Sequence, residues 1–161
     1  MNECEHATCV RTGFHAAENP LDCLSYYSDF DGSECWLCHA DGDIHEDGSD
    51  TKISCTRLDI RRRLSKEEFL AHALVYMSRH PKRPSSAHVV CDRGEVISNG
   101  FVVVRGKDPI GKGKAVGDFI ALAKDDPDGT ISMVGIFRID GVEMRPGVWY
   151  GIDGEERREE A

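Results

Sequence analysis

The most regular pattern of apolar and polar residues in the chain begins at residue 65. Ser65 and Glu68 form a capping box, in which each side chain can bond a backbone N–H at the start of a helix. Apolar residues then recur at helical spacing: Leu70, Ala73, Leu74 and Met77, with Phe69 and Tyr76 widening the stripe. His80-Pro81 ends the pattern, because proline disfavours helix in the residue before it. The sequence therefore predicts one amphipathic helix whose apolar face packs on a sheet.

From residue 88 onward the apolar residues follow the two-residue period of β-strands. Turn-forming pairs separate the runs; Asn99-Gly100 is the strongest hairpin signal and Asp140-Gly141 is another. The predicted extended segments are Val89–Cys91, Glu95–Ser98, Phe101–Arg105, Thr130–Ile139, Val142–Met144 and Val148–Tyr150. Closely spaced turns favour antiparallel pairing, so we predict an antiparallel β-sheet or a small β-barrel packed on the helix. The predicted fold class is α+β.

Residues 115–123 fit two patterns. Their apolar positions suit one face of a helix, whereas Phe119–Ala123 also has the character of a buried strand. Gly117 lies in the middle of the segment, and the turn-forming residues 125–129 follow it. Glycine and turn signals of this kind favour a strand over a helix here.

Residues 1–56 contain few residues that could build an ordinary apolar core. The segment is rich in Gly, Asp, Ser and Cys, and it predicts short loops, a hairpin carrying Cys35 and Cys38, and little regular structure. We divide the chain into a Cys/His-rich zinc-binding module at 1–56, a basic connector and amphipathic helix at 57–87, an antiparallel β domain at 88–152 and a charged tail at 153–161. A metal ion would then replace part of the missing core.

The cysteines of this segment predict a zinc site. Cys4-x4-Cys9 and Cys35-x2-Cys38 are two pairs with short spacings, and zinc prefers four tetrahedral thiolate or imidazole ligands. The arrangement resembles zinc-ribbon and treble-clef modules in general form, without matching one family. Additional or replacement ligands are Cys23, Cys55, His6, His15 and His39.

Three other uses of these cysteines stay open. Buried structural thiols need no metal. Cys35-Trp36-Leu37-Cys38-His39 is also the attachment motif of c-type haem, with His39 as axial ligand. His15 and Glu18 before Cys35-x2-Cys38 resemble the zinc deaminases, although one extra residue separates His15 from Glu18 and Glu34 stands where that family has proline.

Charge is unevenly distributed along the chain. Residues 1–56 carry 2 basic and 12 acidic residues, whereas residues 57–88, the basic belt, carry 8 basic and 3 acidic ones. The belt could contact nucleic acid or an acidic protein. The partner-binding candidates are Arg61, Arg62, Arg63, Lys82 and Arg83. No apolar run suits a membrane span and the N-terminus lacks a signal-peptide pattern, so we expect a cytoplasmic protein, in the host cytoplasm if it is viral.

These patterns lead to three functional hypotheses. The first is a non-enzymatic, zinc-stabilised binding or adaptor protein that contacts a nucleic acid or a protein partner. The second is a structural component of a larger assembly, such as a viral or phage particle, with homo-oligomers as one form. The third is a zinc-dependent hydrolase or deaminase-like enzyme, in which an exchangeable water completes the coordination.

Overall fold

A computed structural model describes residues 2–7, 12–46 and 48–158. The chain divides into two compact units, residues 1–73 and 74–161. The secondary structure is mostly β-strand with one α-helix, which confirms the predicted α+β class. No helix in the described ranges is long and apolar enough to cross a membrane.

The first unit is built on an antiparallel sheet around one long central strand. Its strands are β1 (Asn2–Glu3), β2 (Phe14–Ala17), β3 (Trp36–Glu46) and β4 (Lys52–Arg63). β4 pairs with β3 along one edge and with β1 and β2 along the other. Between β2 and β3, residues Pro20–Ser25 form a 3₁₀ helix whose N-cap is Asn19.

The β3–β4 hairpin corrects two expectations. A long strand, β3, occupies residues 36–46, where short loops were predicted, and residues 57–63 belong to β4 rather than to a connector. Turn-forming Asp41-Gly42-Asp43 sits inside β3 as an irregularity, where Gly42 has a φ of +80°. Arg57 of β4 contacts the facing Asp41 of β3 at 2.7 Å, and a cross-strand pair of opposite charges contributes modestly to the pairing.

Helix α1 (Lys66–Arg79) begins and ends where the sequence predicts. The Glu68 backbone N–H donates to Ser65 Oγ at 3.2 Å, and the Ser65 N–H donates to Glu68 Oε2 at 2.8 Å. The capping box is therefore formed. The predicted apolar face is buried: Phe69, Leu70, Ala73, Leu74 and Met77. In the first unit, Phe69 packs edge-on against Phe30 with ring centroids 4.9 Å apart.

The second unit is a six-stranded mixed sheet. Its strands are β5 (Val89–Glu95), β6 (Phe101–Lys112), β7 (Phe119–Asp125), β8 (Ile131–Arg138), β9 (Trp149–Gly151) and β10 (Glu156–Arg157). The order is β10-β9-β6-β7-β8, and β5 also pairs with β6. Within the described chain this order is open rather than closed into the small barrel that was one predicted form. β7 confirms the strand predicted at 119–123.

The prediction of a wholly antiparallel sheet is wrong, because β5–β6 and β6–β7 are parallel pairs. Asn99 and Gly100 do form a turn, with φ values of 59° and 64°. The chain turns back after β5, before it reaches Asn99-Gly100. β6 therefore runs parallel to β5, with Val103 opposite Val89, and does not pair with β5 as the second strand of a hairpin. β6 and β7 contribute apolar residues to both faces, as is usual for parallel strands in a buried sheet: Val102, Val103, Val104, Ile120, Ala121 and Leu122.

Candidate binding site: a thiol-lined cavity

The first unit contains a cavity of about 590 Å³. Three cysteines line it, Cys23 from the 3₁₀ helix, Cys35 from the residue before β3, and Cys38 from β3 itself. Two histidines also line it, His15 from β2 and His72 from α1. Elements that are distant in sequence therefore bring five possible metal or hydrogen-bond ligands to one cavity.

The pKa values of the three cavity thiols are raised above the usual range for cysteine. Burial, reinforced by the neighbouring ionisable groups Cys35 and Asp22, raises the pKa of Cys23 to about 11. Burial also raises the pKa of Cys35, and burial together with the charge of Cys55 raises that of Cys38. A thiol attacks as its thiolate, so these three protonated groups lack the low pKa typical of catalytic or redox-active cysteines.

An irregularity in the hairpin places Cys35 and Cys38 on the same cavity. In a regular strand, residues three apart point to opposite faces. Here the register shifts between Leu37 and Cys38, where Cys38 faces Ile60 after Leu37 faces Arg62. Such a bulge bends and twists the pair and re-aims side chains. With this distortion, both cysteines of the C-x2-C pair line the cavity.

The mouth of the cavity carries large apolar side chains that are open to solvent. Tyr27 is 68 % exposed, Trp36 46 % and Ile60 50 %, and all three line the cavity. Leu58 and Leu64 contribute further apolar surface to its lining. Exposed large apolar side chains that gather around a cavity are typical of binding sites.

The remaining predicted metal ligands lie elsewhere or outside the described residues. Cys4 lies beside β4, where its Sγ is 3.7 Å from the carbonyl oxygen of Cys55, and Cys55 is buried. His6 and His39 are exposed. Cys9 lies outside the described residues, so the Cys4, Cys9, Cys35 and Cys38 set stays a prediction. Across residues 2–7, 12–46 and 48–158, no three His, Cys, Asp or Glu side chains are already grouped as metal ligands.

The three consecutive arginines of the basic belt are paired with carboxylates. Arg61 contacts Asp59 at 2.9 Å, and Arg63 contacts Glu34 at 3.0 Å. Arg62 pairs with Glu68 of the capping box. These pairs are largely exposed and therefore weak, yet they neutralise local charge that phosphate binding would use.

The two belt candidates of the second unit lie after α1. Arg83 Nη1 donates to the hydroxyl of Tyr76 at 2.8 Å, and Lys82 is exposed. Neither residue lines the cavity of the first unit. Partner contact through Lys82 and Arg83 stays a prediction.

Sequence reasoning assigned no role to His72, Tyr27 or Trp36. A signal for His72 was present, because it lies three residues after the core residue Phe69 and so shares its face of the helix. Trp36 lies between Cys35 and Cys38, so its neighbourhood with the thiols could have been inferred. Tyr27 carried no such signal, since it reaches the cavity through the turn that follows the 3₁₀ helix.

A protein family described as a domain of unknown function (DUF7666) matches residues 1–72. The match covers less than half of the 161-residue chain and nearly the same residues as the first compact unit. No curated protein and no solved structure matches the chain.

Proposed function

We propose that residues 1–73 form a non-enzymatic binding module, and that its cavity receives an apolar side chain of a protein partner. The observation that carries this proposal is the cavity of about 590 Å³ with Tyr27, Trp36 and Ile60 exposed along it. Its volume lies in the range of ligand-binding pockets, roughly 300–1,000 Å³. Tyrosine and tryptophan are enriched in the well-packed centres of protein interfaces.

Charge supports a partner segment whose apolar side chain is flanked by Lys or Arg. Residues 1–73 carry 15 acidic and 7 basic residues, a balance of −8. The described lining of the cavity includes Glu18 and Glu34 and no Lys or Arg, and Glu34 contacts an arginine of β4, Arg63, at 3.0 Å. Such a surface attracts basic segments and repels acidic ones. We therefore assign the partner as a basic peptide segment with one apolar anchor residue.

The ion pairs of the basic belt favour this partner over nucleic acid. Arg61, Arg62 and Arg63 already contact carboxylates, so a phosphate would have to compete for each of them. An oligonucleotide that binds at low salt, weakens steeply with added salt and is lost on replacing the three arginines would reverse this preference. A stable homo-oligomer at low protein concentration would instead favour the assembly hypothesis.

Selection from a display library of random heptapeptides on the immobilised full chain tests the proposal. The expected result is enrichment of sequences with a Leu, Phe or Trp between Lys or Arg residues. The Trp36→Ala variant should lose this enrichment. Ile97→Ala is the matched control, because Ile97 is an 86 % exposed apolar residue of the second unit. Failure to enrich any sequence, or equal enrichment on both variants, would refute the proposal.

A further inference from the structure

Peptide docking does not explain why three cysteines line the cavity. Cys23, Cys35 and Cys38 line one cavity although their elements are separate in sequence. His15 lines this cavity and also a second one of about 230 Å³, and Cys23 lines both. Thiolate and imidazole are the ligands that zinc prefers.

We propose that Cys23, Cys35 and Cys38, with the imidazole of His15, bind one zinc ion. This ligand set differs from the one predicted by sequence spacing, because Cys23 and His15 take the places of Cys4 and Cys9. The reason is position: Cys4 is held beside β4 through its backbone N–H, which donates to the Thr56 carbonyl at 2.8 Å. Cys23 instead shares the cavity with both members of the C-x2-C pair.

Binding requires the ligands to turn towards a common point. The described side chains form no preassembled group of metal ligands. Each cysteine, however, has a single side-chain torsion, so a change of rotamer relocates its Sγ without moving the backbone. The cavity provides the space for an ion with Zn–S bonds of about 2.3 Å and a Zn–N bond of about 2.0 Å.

Zinc binding exchanges protons for a metal ion and needs no oxidant or reductant. Three thiols each lose a proton to the solvent and form Zn–S bonds, and a neutral imidazole nitrogen forms the fourth bond. One Zn²⁺ ion therefore enters and three protons leave. The resulting closed tetrahedral site would be structural, and its binding free energy would stabilise the folded unit.

The experiment loads the chelator-stripped full chain with zinc alone and measures stoichiometry, affinity and X-ray absorption at the zinc edge. The expected result is one zinc per chain, with three sulfurs and one nitrogen around it. Cys23→Ser should weaken zinc binding more than about tenfold, since even outer-shell changes commonly cost 10–100-fold. Cys91→Ser is the control, because Cys91 is exposed and lies in the second unit.

Two outcomes would overturn the inference. One is the failure of the wild-type chain to bind zinc, which does not depend on any variant folding. The other is a four-sulfur site that survives Cys23→Ser and is lost on Cys4→Ser, which would restore the ligand set predicted from sequence. The inference does not rest on peptide docking, because zinc binding is measured without peptide. Peptide binding can in turn be measured with and without a chelator.

Discussion

Replacing Ser65 by alanine tests how the start of α1 supports the cavity. Ser65 Oγ accepts the backbone N–H of Glu68 at 3.2 Å, and the Glu68 carboxylate accepts the N–H of Ser65 at 2.8 Å. Alanine removes the first of these bonds, so that only water can accept the backbone N–H of Glu68. Loss of an N-cap serine costs about 1 kcal/mol of unfolding free energy. The effect should reach the cavity, since Phe69 and His72 line it from the first two turns.

Ser78→Ala is the matched control within the same helix. Ser78 Oγ donates to the carbonyl of Leu74 at 2.8 Å, which is the bond of a serine inside a helix rather than at its cap. Alanine has the highest helix propensity, so this variant should be within about 0.5 kcal/mol of wild type or more stable. Urea unfolding followed by circular dichroism measures both variants. Equal effects of Ser65→Ala and Ser78→Ala would refute the reasoning.

The same capping box predicts a pH dependence. The backbone N–H of Ser65 and the guanidinium of Arg62 lower the pKa of Glu68 in the folded state. A lowered pKa contributes stability above the unfolded value, and that contribution disappears as the pH falls through the folded value. Glu68→Gln should therefore be less stable than wild type at pH 7, and the difference should shrink as the pH approaches 3. A difference that grows on acidification would contradict the assignment.

Three further predictions concern other parts of the chain. Gly111→Ala should cost about 1–3 kcal/mol, because its Cβ would stand 2.2 Å from Ile120 Cγ2, and adding Ile120→Ala should cost less than the sum of the two changes, as urea unfolding would show. In metal-free protein at pH 8, mass spectrometry should find exposed Cys91 alkylated faster than the less accessible Cys23; burial raises the pKa of Cys23 to about 11, and the hydrogen bond to Asp92 also raises the pKa of Cys91, so equal rates would contradict the difference in access. Asp140→Ala should lower stability more than Asp140→Asn, because Oδ1 accepts three successive backbone N–H groups and asparagine keeps that oxygen; equal unfolding curves would argue against this role.

The features that the sequence predicted correctly depend on neighbouring residues. The capping box needs only Ser65 and Glu68, and the end of α1 needs only Pro81, so local chemistry decides both. The strand at 119–123 was favoured by Gly117 and the following turn. None of these features requires knowledge of a distant partner.

The features that the sequence missed depend on pairing between distant segments. Local signals at Asn99-Gly100 predicted a hairpin, yet the direction of β6 is set by its pairing with β5 and β7. A hairpin carrying Cys35 and Cys38 was predicted, but its length was missed because β3 and β4 carry many charged residues and lack a long alternating apolar pattern. The cavity was missed as well, since Cys23 approaches Cys35 and Cys38 only when the 3₁₀ helix and β3 are both in place.

Proton–nitrogen correlation spectra of the full chain, titrated with two pentapeptides, test the docking proposal most directly. One peptide is Lys-Lys-Leu-Lys-Lys, and the other has alanine in place of leucine. We expect the leucine peptide to shift the amide signals of Trp36, Cys38 and Ile60, and the alanine peptide to shift them far less. Identical responses to both peptides, or shifts confined to residues 74–161, would contradict it.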